Sequence, residues 1–159
     1  MLEEVLSTQR FLAWAVEYAR SVALACDPDC IILFGSTARN QQTPNSDIDV
    51  LVIGGDLSAD HRLRFRQLMR LRPRFAPLQV QTFTRAEWDR MMTEKHVTVL
   101  EALKDGIPLH GQELFARWRE VFEDWLRLGL HRTHCTWVIP ATLLDAQFAD
   151  RRIGSQVLP

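Results

Sequence analysis

Three cysteines among 159 residues are too few, and odd in number, for a disulfide framework. No apolar run approaches the ~20 residues that a membrane-spanning helix needs. Met1-Leu2-Glu3-Glu4 puts acids where a secretory signal carries positive charge. The net charge of −1 gives no global electrostatic case for a nucleic-acid or membrane partner. Internal repeats and low-complexity tracts are missing too. These absences lead us to expect a soluble, reduced, cytoplasmic protein. What is present, 47% apolar and 25% charged residues, is the composition of one ordinary globular domain with one core.

The periodicity predicts a helix over Thr8 to Ala25, ended by Asp27-Pro28-Asp29. Cys30 to Phe34 is a short, continuously apolar run, as in a buried strand. Gly35-Ser36 ends it, and a short helix to about Asn40 follows. Thr43-Pro44-Asn45-Ser46 reads as a loop, and Asp47 to Ile53 as a second strand closed by Gly54-Gly55. Ser58 is the expected cap of a helix reaching Leu71, and Leu78 to Phe83 the third strand. Thr84 and Glu87 have capping-box spacing, opening a helical stretch that is interrupted near Lys95 and capped by Gly106. Gln112 to Leu128 is amphipathic, and the closing GSQVLP is expected to fray. The order αβαβαβα points to a two- or three-layer α/β domain with a helical tail.

Aspartate is a poor strand residue and costly to bury, yet Asp47 and Asp49 open the second strand. Side chains two apart share a face at roughly 6–7 Å. Two carboxylates so placed repel unless a cation lies between them, and magnesium takes one or two carboxylates together with substrate phosphates. Gly35-Ser36 supplies the other half: glycine admits a phosphate close to the backbone, and a serine hydroxyl beside free N–H groups accepts an anion.

Gly35-Ser36 followed at this spacing by Asp47-Ile48-Asp49 resembles the signature of the polymerase-beta-like nucleotidyltransferase superfamily. FGSTAR and SDIDVLV are similar to those of minimal prokaryotic nucleotidyltransferases, some of which are antitoxins paired with HEPN-type toxins. A weaker likeness runs from QTFTRAEWDRM to LKDGIPLHG. The resemblance implies an α/β palm core, a small mixed sheet flanked by helices, over residues 1–110. Residues 111–159 would be a C-terminal helical extension in the same compact unit. It also implies nucleotide binding by Gly35, Ser36 and Arg39, with Asp47 and Asp49 as catalytic magnesium ligands. Arg39 is suited either to offsetting phosphate charge or to anchoring the turn through an ion pair. The implied activity is magnesium-dependent transfer of AMP from ATP to a hydroxyl, on a partner HEPN toxin or on a small molecule.

The chain departs from that pattern at the third carboxylate. Aligning Thr84-Arg85-Ala86-Glu87 puts this position at Gln79, and Leu78 to Phe83 contains no acid. A neutral amide cannot act as a general base. The alternative reading is therefore a catalytically impaired nucleotide-binding antitoxin that acts by docking on its partner. Asn40 stands where glycine is usual, a milder change because asparagine tolerates left-handed backbone.

Arg62, Arg64, Arg66, Arg70, Arg72 and Arg74 crowd one segment. Arg62, Arg66 and Arg70 share a helical stripe suited to RNA or an acidic partner, or simply to a solvated face. Trp118, Phe122, Trp125 and Leu126 form an aromatic stripe that we expect to cover the sheet, with a homo-oligomer or toxin interface as the other use. Cys26, Cys30, His131, His134 and Cys135 are zinc-ligand types at unusual spacing, and we read them as incidental.

Overall fold

The computed structural model describes residues 2–43 and 45–144. Helix α1 (Leu2–Cys26) leads into β1 (Cys30–Phe34), the short α2 (Gly35–Ala38) and β2 (Ile48–Ile53). Then come α3 (His61–Met69), β3 (Leu78–Phe83), α4 (Arg85–Thr93) and α5 (Val97–Asp105). Strand β4 (Ile107–His110) and α6 (Gln112–Arg127) follow, and the described residues close with a hairpin, β5 (His131–Arg132) and β6 (Trp137–Val138), and a 3-10 turn at Ala141–Leu143.

Strands β3-β2-β1-β4 form one mixed sheet in that order. Strand β1 is antiparallel to both neighbours, while β2 and β3 run parallel. The period-two alternation of strands divides the core into two layers. Ile31, Leu33, Ile48, Val50, Val52, Leu78 and Val80 pack with α1 and with Leu68 of α3. Cys30, Ile32, Phe34, Leu51 and Ile53 face α4, α5 and α6, where Trp88, Leu103, Phe115, Trp118, Phe122 and Trp125 are buried. The architecture is thus three layers, and the aromatic stripe of α6 is core. Leu126 is the member of that stripe left exposed. Trp137 joins the layer from the hairpin and donates its indole N–H to Glu101 at 2.8 Å.

The capping box forms as its spacing predicts: Thr84 accepts from the Glu87 N–H, and Glu87 accepts from the Thr84 N–H. The helical stretch breaks at Lys95, whose φ is 51°. Three expectations need correction. The cap of α3 is Asp60, not Ser58; the Ser58 hydroxyl accepts instead from the Asp60 N–H at 3.2 Å, one turn earlier. Gly106 caps α5 as expected, its N–H donating to the Ala102 carbonyl at 2.9 Å, in extended backbone because the chain passes straight into β4. Glycine is required there for space: a Cβ would lie 2.0 Å from the Ala102 carbonyl. Strand β4 was not foreseen at all. Beyond α6 the described chain continues as a hairpin rather than further helix. The expected fraying of GSQVLP concerns residues outside those described, as does Pro44 of the expected loop.

Arg64 does not belong to the surface stripe. It is only 1% exposed and pairs with Glu87 at 2.8 Å, while donating to the carbonyls of Ser58, Ala59 and Thr82. Its place four residues before buried Leu68 explains this, since both lie on the inner face of α3. Glu87 thus serves a buried cation and a helix cap together. We expect Glu87→Ala to cost about 2–4 kcal/mol in denaturant-induced unfolding, because it strands the guanidinium and opens the cap. Asp89→Ala, which removes an exposed i,i+4 partner of Arg85, should cost under about 1 kcal/mol. Equal costs for the two would contradict this account.

Candidate functional site

Strand β1 ends at Phe34, and the chain turns at once into α2 through Gly35, whose φ is +73°. A left-handed residue at that point rotates the next N–H groups out of the sheet. Strand β2 returns antiparallel so that Asp49 lies opposite Phe34. Asp49 shares the face of Leu51 and Ile53, and its carboxylate folds over the turn. A Cβ on Gly35 would meet Asp49 Oδ2 at 2.2 Å. The glycine is therefore needed twice, for its φ and for the space the carboxylate fills.

Asp47 lies two residues earlier, just outside β2 and exposed, while Asp49 is half-buried. Neither carboxylate has an ion-pair partner within 4 Å among the described residues. Burial, and next the charge of Asp47, push the Asp49 carboxyl above its ordinary range, and Arg39 pulls it back in part. The pair is thus under electrostatic load, the condition a bound cation relieves. The donor set fits magnesium: two hard oxygen groups beside an open turn, leaving further positions for phosphate oxygens. Among the described residues, no group of three or more His, Cys, Asp or Glu is placed to hold a metal. Cys26 and Cys30 are buried in opposite layers, so the zinc-type residues do not assemble.

Ser36 is half-buried, and its hydroxyl makes no hydrogen bond among the described residues; Thr37 is the buried member of α2. Arg39 pairs with Asp105 at 3.9 Å and donates from Nε to Gln41 at 3.1 Å. It therefore anchors the turn to the end of α5 while its charge still acts on Asp49. Asp105 is the site residue that sequence reasoning missed; nothing in its spacing ties it to the FGSTAR segment. Asn40 adopts φ 56°, the left-handed backbone expected where glycine is usual.

The register of β2 and β3 puts Gln79 directly beside Asp49, on the same face. A neutral amide thus stands next to Asp49 on the neighbouring strand. Gly35, Ser36, Arg39, Asp47, Asp49 and Gln79 come together at one end of the sheet. A cleft of about 440 Å³ elsewhere is lined by His110, Gly111, Gln112, Glu113, Leu114 and Arg117. It lies at the other end of β1, where His110 pairs with Ile31.

Residues 26–103 match the family profile described as nucleotidyltransferase domain, a span containing every residue of this site except Asp105. Among solved structures, a candidate nucleotidyltransferase from Sulfolobus solfataricus is 23% identical, over 66% of this chain and 84% of its own, with a TM-score of 0.49. A toxin–antitoxin structure with AMP-PNP is 17% identical, over 71% of this chain and 87% of its own, with a TM-score of 0.47. A comparison with curated proteins finds no match. Over residues 26–103 the chain is thus similar to nucleotidyltransferase domains, and that span holds three of the four strands of the mixed sheet and the Gly35 turn with both carboxylates.

Proposed function

We propose that the chain transfers a nucleotidyl group, AMP from ATP, to a hydroxyl acceptor with magnesium. The observation that carries this reading is the Asp49 carboxylate folded over the Gly35 turn, with the charge of Asp47 acting on it and no ion-pair partner for either within 4 Å among the described residues. Asp47 and Asp49 would hold the cation, which when bound stabilises charge developing on the phosphoryl oxygens. Gly35 makes room for the Asp49 carboxylate at the turn, and the unengaged Ser36 hydroxyl orients the phosphates. Arg39, steadied by Asp105, offsets part of the phosphate charge. The acceptor oxygen bonds to the α-phosphorus as the bond to the bridging oxygen breaks, and pyrophosphate leaves. Gln79 cannot take the acceptor's proton, so that proton passes to water or to a base supplied by the acceptor protein. The acceptor we infer is a hydroxyl on a HEPN-type toxin partner, as in the antitoxins that the FGSTAR and SDIDVLV segments resemble, and the setting is cytoplasmic.

A second reading rests on Gln79: a domain that binds nucleotide and acts by docking on its partner without turnover. Incubation with magnesium, ATP labelled at the α-phosphate and the genomic neighbour's product separates the two. Labelled acceptor, abolished in the Asp47→Ala/Asp49→Ala variant, supports transfer. ATP binding with no labelled acceptor supports docking.

Gly35→Ala tests the turn itself. Its Cβ would displace the Asp49 carboxylate and strain the backbone, so we expect nucleotide affinity to fall at least about tenfold, read by calorimetry. Unchanged affinity would contradict the geometry. Gln79→Glu restores a carboxylate beside Asp49 and should raise the transfer rate by about 10²-fold or more, with steeper magnesium dependence. A slower enzyme would show that Gln79 has a positive role of its own.

A further inference from the structure

The sequence between Asp60 and Glu87 contains no acid and seven arginines. Arg64 is buried against Glu87, and Arg85 is paired with Asp89. The other five, Arg62, Arg66, Arg70, Arg72 and Arg74, are exposed, with no acidic partner within 4 Å among the described residues. In a chain of net charge −1, this concentrates unmatched positive charge on α3 and the loop that follows it. Arg62, Arg66 and Arg70 follow one another at about 6 Å along α3, a rise set by four helical residues.

Aromatic surface accompanies the charge. Phe75 is 78% exposed and sits at φ 66°, in left-handed backbone that bulky side chains avoid. The strain is not repaid by burial, since the ring stands in solvent with the Arg74 guanidinium 4.9 Å from its centroid. Phe65, on α3 itself, is also exposed. A strained, solvent-facing ring beside a row of free guanidinium groups is a feature in search of a flat partner.

We propose that α3 and the 70–76 loop bind single-stranded nucleic acid, the arginines tracking the phosphates and Phe75 stacking on a base. A strongly acidic protein would match the charge but leave the exposed ring unused. A single strand matches both, because every base presents a π-face and every linkage a charge. Position agrees with this use. The loop enters β3 beside the start of β2, where the Ile48 N–H donates to the Pro77 carbonyl at 2.7 Å. The 70–76 loop therefore lies at the sheet end that carries Asp47 and Asp49. The proposal does not depend on the transfer reaction, because its readout is binding alone.

The test is fluorescence anisotropy of the full chain with labelled 20-nucleotide U-tract RNA and the matching T-tract DNA, over a salt series. We expect saturable binding that weakens with salt. Arg62→Gln/Arg66→Gln/Arg70→Gln should bind at least tenfold more weakly and flatten the log–log salt slope by about 2, as for three lost phosphate contacts. Phe75→Gly suits the left-handed backbone, so it should bind at least about fivefold more weakly while thermal stability holds or rises. Arg117→Gln, an exposed arginine on α6, should bind as the parent does. Absence of binding at low salt, parental affinity in the triple or Phe75→Gly variant, or equal competition by poly-glutamate or anionic vesicles would overturn the assignment.

Discussion

One close contact governs the site: the Asp49 carboxylate lying on the Cα of Gly35. It requires glycine, a left-handed turn directly after β1, and an antiparallel return that puts Asp49 opposite Phe34. It also sets the electrostatics. Burial and the neighbouring Asp47 make Asp49 costly to ionise, and the remaining protein charge nearby, Arg39, is engaged with Asp105. A fold that holds two acids in this way without a counter-ion keeps a deficit that a cation and its polyphosphate can fill.

The layers explain how such a site remains rigid. Helices α4, α5 and α6 pack large aromatics against the face of β1 and β2 that carries Asp49, up to Phe34 itself. The end of the sheet that carries Asp49 is therefore continuous with the core layer beneath α4, α5 and α6. Asp105 extends that rigidity to the turn, because α5 packs in the same layer and ends at the residue that pairs with Arg39. The backbone around Asp49 and Gly35 is set by strand register and one helix terminus.

Much of this was legible in the sequence, for identifiable reasons. Strands β1 and β3 carry clear apolar patterns between strong punctuation, and their limits match the expectation. The placement of Asp49 over Gly35 is local, fixed by two strands and the turn between them, whereas Asp47, expected to open β2, lies just outside it. Strand β4 was hidden because Pro108 stands inside it; a sheet edge tolerates proline, and the sequence alone does not reveal which strand is at the edge. The β5–β6 hairpin has two residues per strand, too few to show a period. Asp105 was invisible because its pairing with Arg39 depends on how α5 packs. Arg64 looked like its arginine neighbours, although its four-residue offset from Leu68 held the signal that it points inward.

The central claim is that the carboxylate pair and the Gly-Ser turn together form a receptor for a metal–nucleotide complex. Calorimetric titration of ATP into the protein at neutral pH, with magnesium and again with the metal chelated, tests it most directly. The account predicts saturable binding at one site per chain that disappears when magnesium is removed. Binding of equal strength without the metal, or no binding with it, would contradict the account.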